Sequence, residues 1–461
     1  MLRIWFERKK KMFKINNTTT STKNNNINFK GSNALKGIAK VADVFLKSQE
    51  NLSSTRFIQD TATNWFPKAI VSRSKEDFAE MSFLEFLESG IFYFALPIFG
   101  EKLFRNGVFK NLIPKNIRNT VNEELPKSIK EITQNKNLTK EVKDSAIATK
   151  AGILLACSLI PVAEFTLSFA KNYFTLKTFK KSNFDNIAKL DKNNKIQEDK
   201  SQQEKVEKNA IKHFKIAGAI SALGVGAGVL LATKGKNTKI GQKISQTILE
   251  PGKALNNFLT DKGLKNKDSL KFLNSISLDF ENNKGKLALS KGQLGLTAII
   301  GLFGYSKAAE DRGKLDKKEV WTRVPLVVFY TIFGSELFEK GFSKLLSKKN
   351  AFPNLIKKGA DGKIIVPTRD ELPKIAAKLA HQNKTNVNSE LSKLTKQKAL
   401  ISAIPYAFSL LFMGFSLSLL TRIFTQHRYN KDHKNENKNL GTGLVFGKNV
   451  ADFKNFVKQN N

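Results

Sequence analysis

Twenty-two consecutive residues, Ala399–Leu420, carry no charged side chain, in a chain of 461 residues whose formal net charge is +38. A bilayer core about 30 Å thick needs about 20 helical residues to cross, so this run alone is long enough. Ala151–Ala170 and Ile216–Ala232 approach or reach that length, while Ser89–Phe104, Leu294–Tyr305 and Val324–Phe338 fall short of it. Lipid offers the backbone no hydrogen bonds, so any run that crosses must be helical. Run length and the dominance of Leu, Ala, Ile and Phe favour helix over strand independently. The expected fold is all-α: a polytopic helical membrane protein with basic extramembrane connections and no cleavable signal peptide, because residues 1–33 turn polar without an apolar h-region.

Lys and Arg number 78 against 40 Asp and Glu, and the excess fills the connections Lys177–Lys212, Lys234–Lys291 and Lys340–Lys398. A cationic surface attracts anionic lipid headgroups, at about 1 kcal/mol per basic residue near the bilayer, or nucleic acid phosphates. The lipid bilayer is the expected partner. Nucleic acid is disfavoured, because the phenylalanines cluster in apolar runs rather than interleaving with lysine. The single cysteine, Cys157, sits inside an apolar run, which excludes an internal disulfide framework and a thiolate metal cluster.

Self-similarity organises the rest. Ile98-Phe99-Gly100-Glu101-Lys102-Leu103-Phe104-Arg105-Asn106-Gly107 and Ile332-Phe333-Gly334-Ser335-Glu336-Leu337-Phe338-Glu339-Lys340-Gly341 share the frame I-F-G-x-x-L-F-x-x-G at an offset of 234, at which Glu76-Asp77 also meets Glu310-Asp311. Glu124-Leu125-Pro126-Lys127 recurs as Glu371-Leu372-Pro373-Lys374. Phe165-Thr166-Leu167-Ser168 with Phe174-Thr175 is echoed by Phe415-Ser416-Leu417-Ser418 with Phe424-Thr425, at an offset of 250. Collinear matches of this kind point to an internal duplication. The expected organisation is a disordered tail over 1–33, a first repeat half over 34–213, a bridge over 214–305, a second half over 306–430 and a basic tail over 431–461. Gly100, Gly107, Gly334 and Gly341 mark the repeat boundary, with Gly107 and Gly341 expected to end helices.

Candidate chemistry is sparse. Glu164, an acid inside a spanning run, is the sharpest functional candidate. Helix termination or a kink at Pro161, snorkelling, or pairing with Lys171 explains it more simply. Gly224 and Gly228 form a G-x-x-x-G helix-packing frame, expected to serve packing within the chain rather than dimerisation. The four histidines are scattered, and no nucleophile elbow, phosphate loop or C-x-x-C occurs, so no catalytic, cofactor or metal residue is assigned. The function expected is a non-enzymatic structural or transport-like integral membrane component. The alternative is a soluble or peripheral all-α scaffold that binds anionic membrane or nucleic acid through its lysines.

Overall fold

The computed structural model describes residues 37–49, 57, 64–191, 197–262, 271–330, 335–359 and 364–433; the tails over 1–33 and 434–461, and Gly334, lie outside them. Helix dominates throughout. α1 is Ile38–Gln49. α2, Lys75–Ala95, opens at Ser74, whose hydroxyl accepts from the Asp77 N–H, with Glu76 and Asp77 in the first turn where the helix dipole favours them. It runs on through wider π-type turns over Leu96–Phe109 to Leu112. Pro97 begins the widened stretch, since its missing N–H removes one regular helix bond.

α3, Lys140–Ala156, and α4, Leu159–Phe179, form one long helix interrupted at Cys157–Ser158. The sequence places the kink at Pro161, but a proline ring clashes with the carbonyl four residues earlier, here that of Cys157, so the break precedes the proline. α5, Lys200–Thr233, capped by Asp199, returns antiparallel along both. Its start ion-pairs with the end of α4 through Lys177–Glu207 at 2.5 Å, and Gly228 lies against Gly152 of α3.

α6 (Lys239–Leu249) and α7 (Pro251–Asp261) lead to a hairpin of β1, Glu281–Asn283, and β2, Lys286–Ala288. Its two-residue turn needs positive φ at both positions, supplied by Lys284 (φ 54°) and Gly285 (φ 81°). Arg105 holds the hairpin to the end of α2, donating to the Gly285 carbonyl at 2.9 Å and to Glu101 at 2.8 Å. Lys150 of α3 pairs with Asp279 just before the hairpin, at 2.5 Å.

α8, Lys291–Glu310, starts beside this hairpin and runs parallel to α4. A tight turn at Gly313 (φ 137°) reverses the chain into α9, Lys314–Phe329. α10 (Ser335–Lys348), β3 (Lys357–Lys358) paired with β4 (Ile364–Ile365), and α11 (Leu372–Asn383) pack with α1 around Leu355, Leu372, Ala376 and Leu394. α12, Val387–Ser409, continues through wider turns to His433. It lies antiparallel to α9, with Thr425 beside Glu319 and Phe408 stacked near Tyr330.

Among the described residues, four helices are long and apolar enough to cross a membrane: Lys75–Leu112, Lys140–Phe179, Lys200–Asn237 and Val387–His433. Ser89–Phe104 is thus the middle of a long helix rather than a short segment. The charged turns before it, Lys75–Glu88, remain helical because their side chains pair inside the protein. Gly107 and Gly341 do not end helices: the first lies in the continuous run to Leu112, the second inside α10. The boundaries drawn at 213/214 and 305/306 fall inside α5 and α8.

Candidate functional site

α2 and α9 both begin at one end of the bundle, and α4 and α12 both arrive there. This convergence collects charge. Each starting helix carries the same eight-residue pattern, R-x-K-x-D-x-x-E: Arg73-Ser74-Lys75-Glu76-Asp77-Phe78-Ala79-Glu80 and Arg312-Gly313-Lys314-Leu315-Asp316-Lys317-Lys318-Glu319, at an offset of 239. Each arginine reaches the aspartate four residues on: Arg73 Nε lies 3.3 Å from Asp77 Oδ2, and Arg312 Nε 3.2 Å from Asp316 Oδ2. Each also crosses to the glutamate of the other copy. Arg73 donates to both Glu319 oxygens at 3.1 and 3.2 Å, and Arg312 Nη1 to both Glu80 oxygens at 2.9 and 3.0 Å.

The returning helices complete two neutral quartets. Lys171 of α4 lies 3.8 Å from Glu80, joining Arg312 and Asp316. Arg422 of α12 lies 3.4 Å from Asp77, joining Arg73 and Glu319, whose Oε2 also accepts from Thr425 at 2.9 Å. Asn172, next to Lys171, accepts from Arg312 Nη1 at 2.8 Å and donates to the Ala308 carbonyl at 2.9 Å. In the 250-residue register, Asn172 and Arg422 occupy the same place.

One ring joins the quartets. Phe184, on the short helix Phe184–Ile187, lies 5.3 Å from the Arg73 guanidinium carbon and 5.7 Å from that of Arg312, measured to the ring centre. Its N–H donates to the Arg312 carbonyl at 3.3 Å, and Ser74 donates to the Ile187 carbonyl at 2.5 Å, fixing this connection over the cluster. Burial alone would weaken the charge on Arg73 and Arg312, but the facing acids outweigh it: Glu319 and Asp77 hold Arg73, and Glu80 and Asp316 hold Arg312, above the ordinary arginine value. Both remain cationic.

A cavity of about 110 Å³ extends from the quartets between α2, α4, α8 and α9, as deep as Ala298 and Val328. Glu164 lies on it, 1% exposed, and accepts from the Tyr305 hydroxyl at 2.5 Å. It therefore neither snorkels nor pairs with Lys171, which serves Glu80 instead. Lys68 and Glu85 form a buried ion pair on the same cavity. Among the described residues, no three His, Cys, Asp or Glu side chains are grouped to hold a metal ion.

The glycine frame lies elsewhere. A Cβ at Gly228 would collide with the Gly152 backbone and one at Gly224 with Ser158 and the Leu155 carbonyl, so both face α3–α4 within the chain. Gly100 packs against Leu96 and Cys157, while a Cβ at Gly341 meets nothing within 4 Å. His213 stacks on Phe169 with centroids 3.9 Å apart. The cross-paired quartets are the residues that sequence reasoning missed. The R-x-K-x-D-x-x-E pattern was the available signal, hidden because the matching offset shifts from 239 at the helix starts to 234 at I-F-G-x-x-L-F-x-x-G. Comparison with protein families, curated proteins and solved structures finds no match to this chain.

Proposed function

We propose that this chain is a multi-pass membrane protein of two related halves, acting as a transport-like or structural membrane component. The observation that carries this reading is the surface of α5. Its most apolar 18-residue window is only 11% buried, with Leu223 and Leu230 72% and 64% exposed. α12 likewise presents Leu411, Phe412, Leu419, Leu420, Ile423 and Phe424 outward, each at least half exposed. Water would make such a surface an aggregation site, whereas lipid is its natural solvent.

The duplicated charge pattern supports the two halves, and helix direction supports a parallel relation. α2 and α9 leave the charged end while α4 and α12 return to it, as expected for copies related by an axis along the membrane normal. The cavity between the copies, lined by Glu164, Lys68 and Arg323, lies where repeat proteins of this kind hold or pass a solute. Basic connections at both ends suit anionic headgroups. The chain is expected to stay in the membrane pellet after alkaline carbonate washing and to need detergent for solubility. Release into the supernatant as a monodisperse monomer would instead favour the soluble scaffold.

A further inference from the structure

The charges at the cluster balance in two ways. As observed, the quartets mix the copies: Arg312 and Asp316 with Lys171 and Glu80, and Arg73 and Asp77 with Arg422 and Glu319. Sorted by copy instead, Arg73, Lys171, Asp77 and Glu80 make one neutral set, and Arg312, Arg422, Asp316 and Glu319 the other. Separating a buried ion pair ordinarily strands an uncompensated charge, which is why such pairs hold fast. Here no charge is stranded. Each arginine keeps the aspartate one helical turn further along, Glu80 keeps Lys171, and Glu319 keeps Thr425 and gains Arg422 as that side chain leaves Asp77. Of the alternative pairing, every pair but Arg422 on Glu319 lies in place before any movement.

We propose that the two quartets, with Phe184 laid across both arginines, form a reversible latch that closes the cavity between the halves from the charged end. In the latched state the cross-copy pairs Arg73–Glu319, Arg312–Glu80 and Arg422–Asp77 draw α9 and α12 onto α2. In the unlatched state each arginine rests on its own aspartate, and the cavity that reaches down past Ser168 opens to water. The two neutral pairings make a bistable element whose states differ by exchange of partners rather than by loss of charge, as a gating device requires.

The latch rests on the two-half membrane reading, and one experiment separates the two. In the full-length chain with Cys157→Ala, Ser168→Cys places a single thiol on the cavity wall, 3% exposed in the wild-type side chain it replaces. Membranes are treated with a water-soluble maleimide and labelling is timed, with carbonate retention measured on the same samples. Glu80→Gln combined with Glu319→Gln removes the acids that Arg73 and Arg312 reach across the copies and spares both Arg–Asp pairs, so labelling should quicken about tenfold. Asp316→Asn removes the fallback of Arg312 and spares every cross-copy pair, so labelling should be no faster than in the parent. General loosening of a structural cluster would quicken both alike, and that result, or no acceleration in the glutamate variant, overturns the latch. The contrast is legible whether or not the chain stays in the pellet, so failure of the membrane reading is scored separately.

Discussion

The quartet around Arg312 and the quartet around Arg73 carry the same charges on the same sequence pattern, yet they are buried unequally. The Arg312 side chain is 1% exposed and the Arg73 side chain 14%. The difference comes from the returning helices. α4 is pressed onto α8, where a Cβ at Gly304 would strike the Phe165 backbone, and it brings Asn172 onto Arg312 as a neutral second acceptor. α12 packs less tightly and places a third guanidinium, Arg422, beside Arg73. A duplicated motif therefore fixes which charges meet, while the surrounding packing decides how much each meeting is worth.

Removing each arginine tests that inequality most strongly. Arg312→Ala strands Asp316 and leaves Glu80 only the longer contact to Lys171, both nearly closed to water, and a loss of about 3–5 kcal/mol is expected from breaking a buried pair on one side. Arg73→Ala leaves Arg422 beside Asp77 and some access to solvent, so a loss of about 1.5–3 kcal/mol is expected, the range for hydrogen bonds to charged groups. Denaturation midpoints of the purified protein in detergent would rank them. Equal losses would mean that the two junctions are equivalent and that burial is a poor guide to their strength.

The close contact between α5 and α3 gives the next largest effect, with a control two residues away. Gly228→Ala forces a Cβ into the Gly152 carbonyl, a backbone atom with no freedom to withdraw. A loss of about 1–3 kcal/mol is expected, as for other overpacked sites. Gly226 on the same helix has nothing within 4 Å of the added carbon, and Gly226→Ala should be neutral or slightly stabilising. If both substitutions proved neutral, the helix pair would be looser than the glycine contact implies.

How much of this was legible in the sequence depends on the range of the interaction. The Ala399–Leu420 run and the helical character of every apolar segment among the described residues followed from local composition, because backbone satisfaction and side-chain propensity act within a few turns. Segment ends did not. Ser89–Phe104 looks short because hydropathy falls at Glu80, Glu85 and Glu88, and packing against α4, with Lys68 on Glu85 and Lys171 and Arg312 on Glu80, keeps this stretch inside a continuous helix. Glu164 stands out in the sequence as an acid in an apolar run, but its partner Tyr305 is 141 residues away and no local rule names it. The charge quartets were hidden for the same reason. Their motif is written in the chain twice, but the pairs cross between copies, so reading either copy alone suggests an ordinary i, i+4 surface ion pair.

The smallest effect is expected where a cross-element ion pair of good geometry stands in water. Arg369, ahead of α11, meets Asp43 of α1 in a two-pronged contact, Nε to Oδ1 at 2.8 Å and Nη2 to Oδ2 at 3.1 Å, across 326 residues of chain. Its geometry is better than that of Arg312 on Glu80, where one nitrogen serves both oxygens, and its span is longer. Both side chains keep more than a quarter of their surface exposed, so the surrounding water screens the attraction and resolvates either partner when the other is removed. Arg369→Ala should cost about 0.5–1 kcal/mol, the worth of a well-formed exposed pair, and the loss should shrink further on raising salt to about 1 M, where the screening length falls to about 3 Å. The Arg312→Ala loss should barely respond to the same salt. An Arg369→Ala loss as large and as salt-insensitive as that of Arg312→Ala would show that geometry, not burial, sets the strength of these contacts, and the distinction drawn between the two quartets would fall with it.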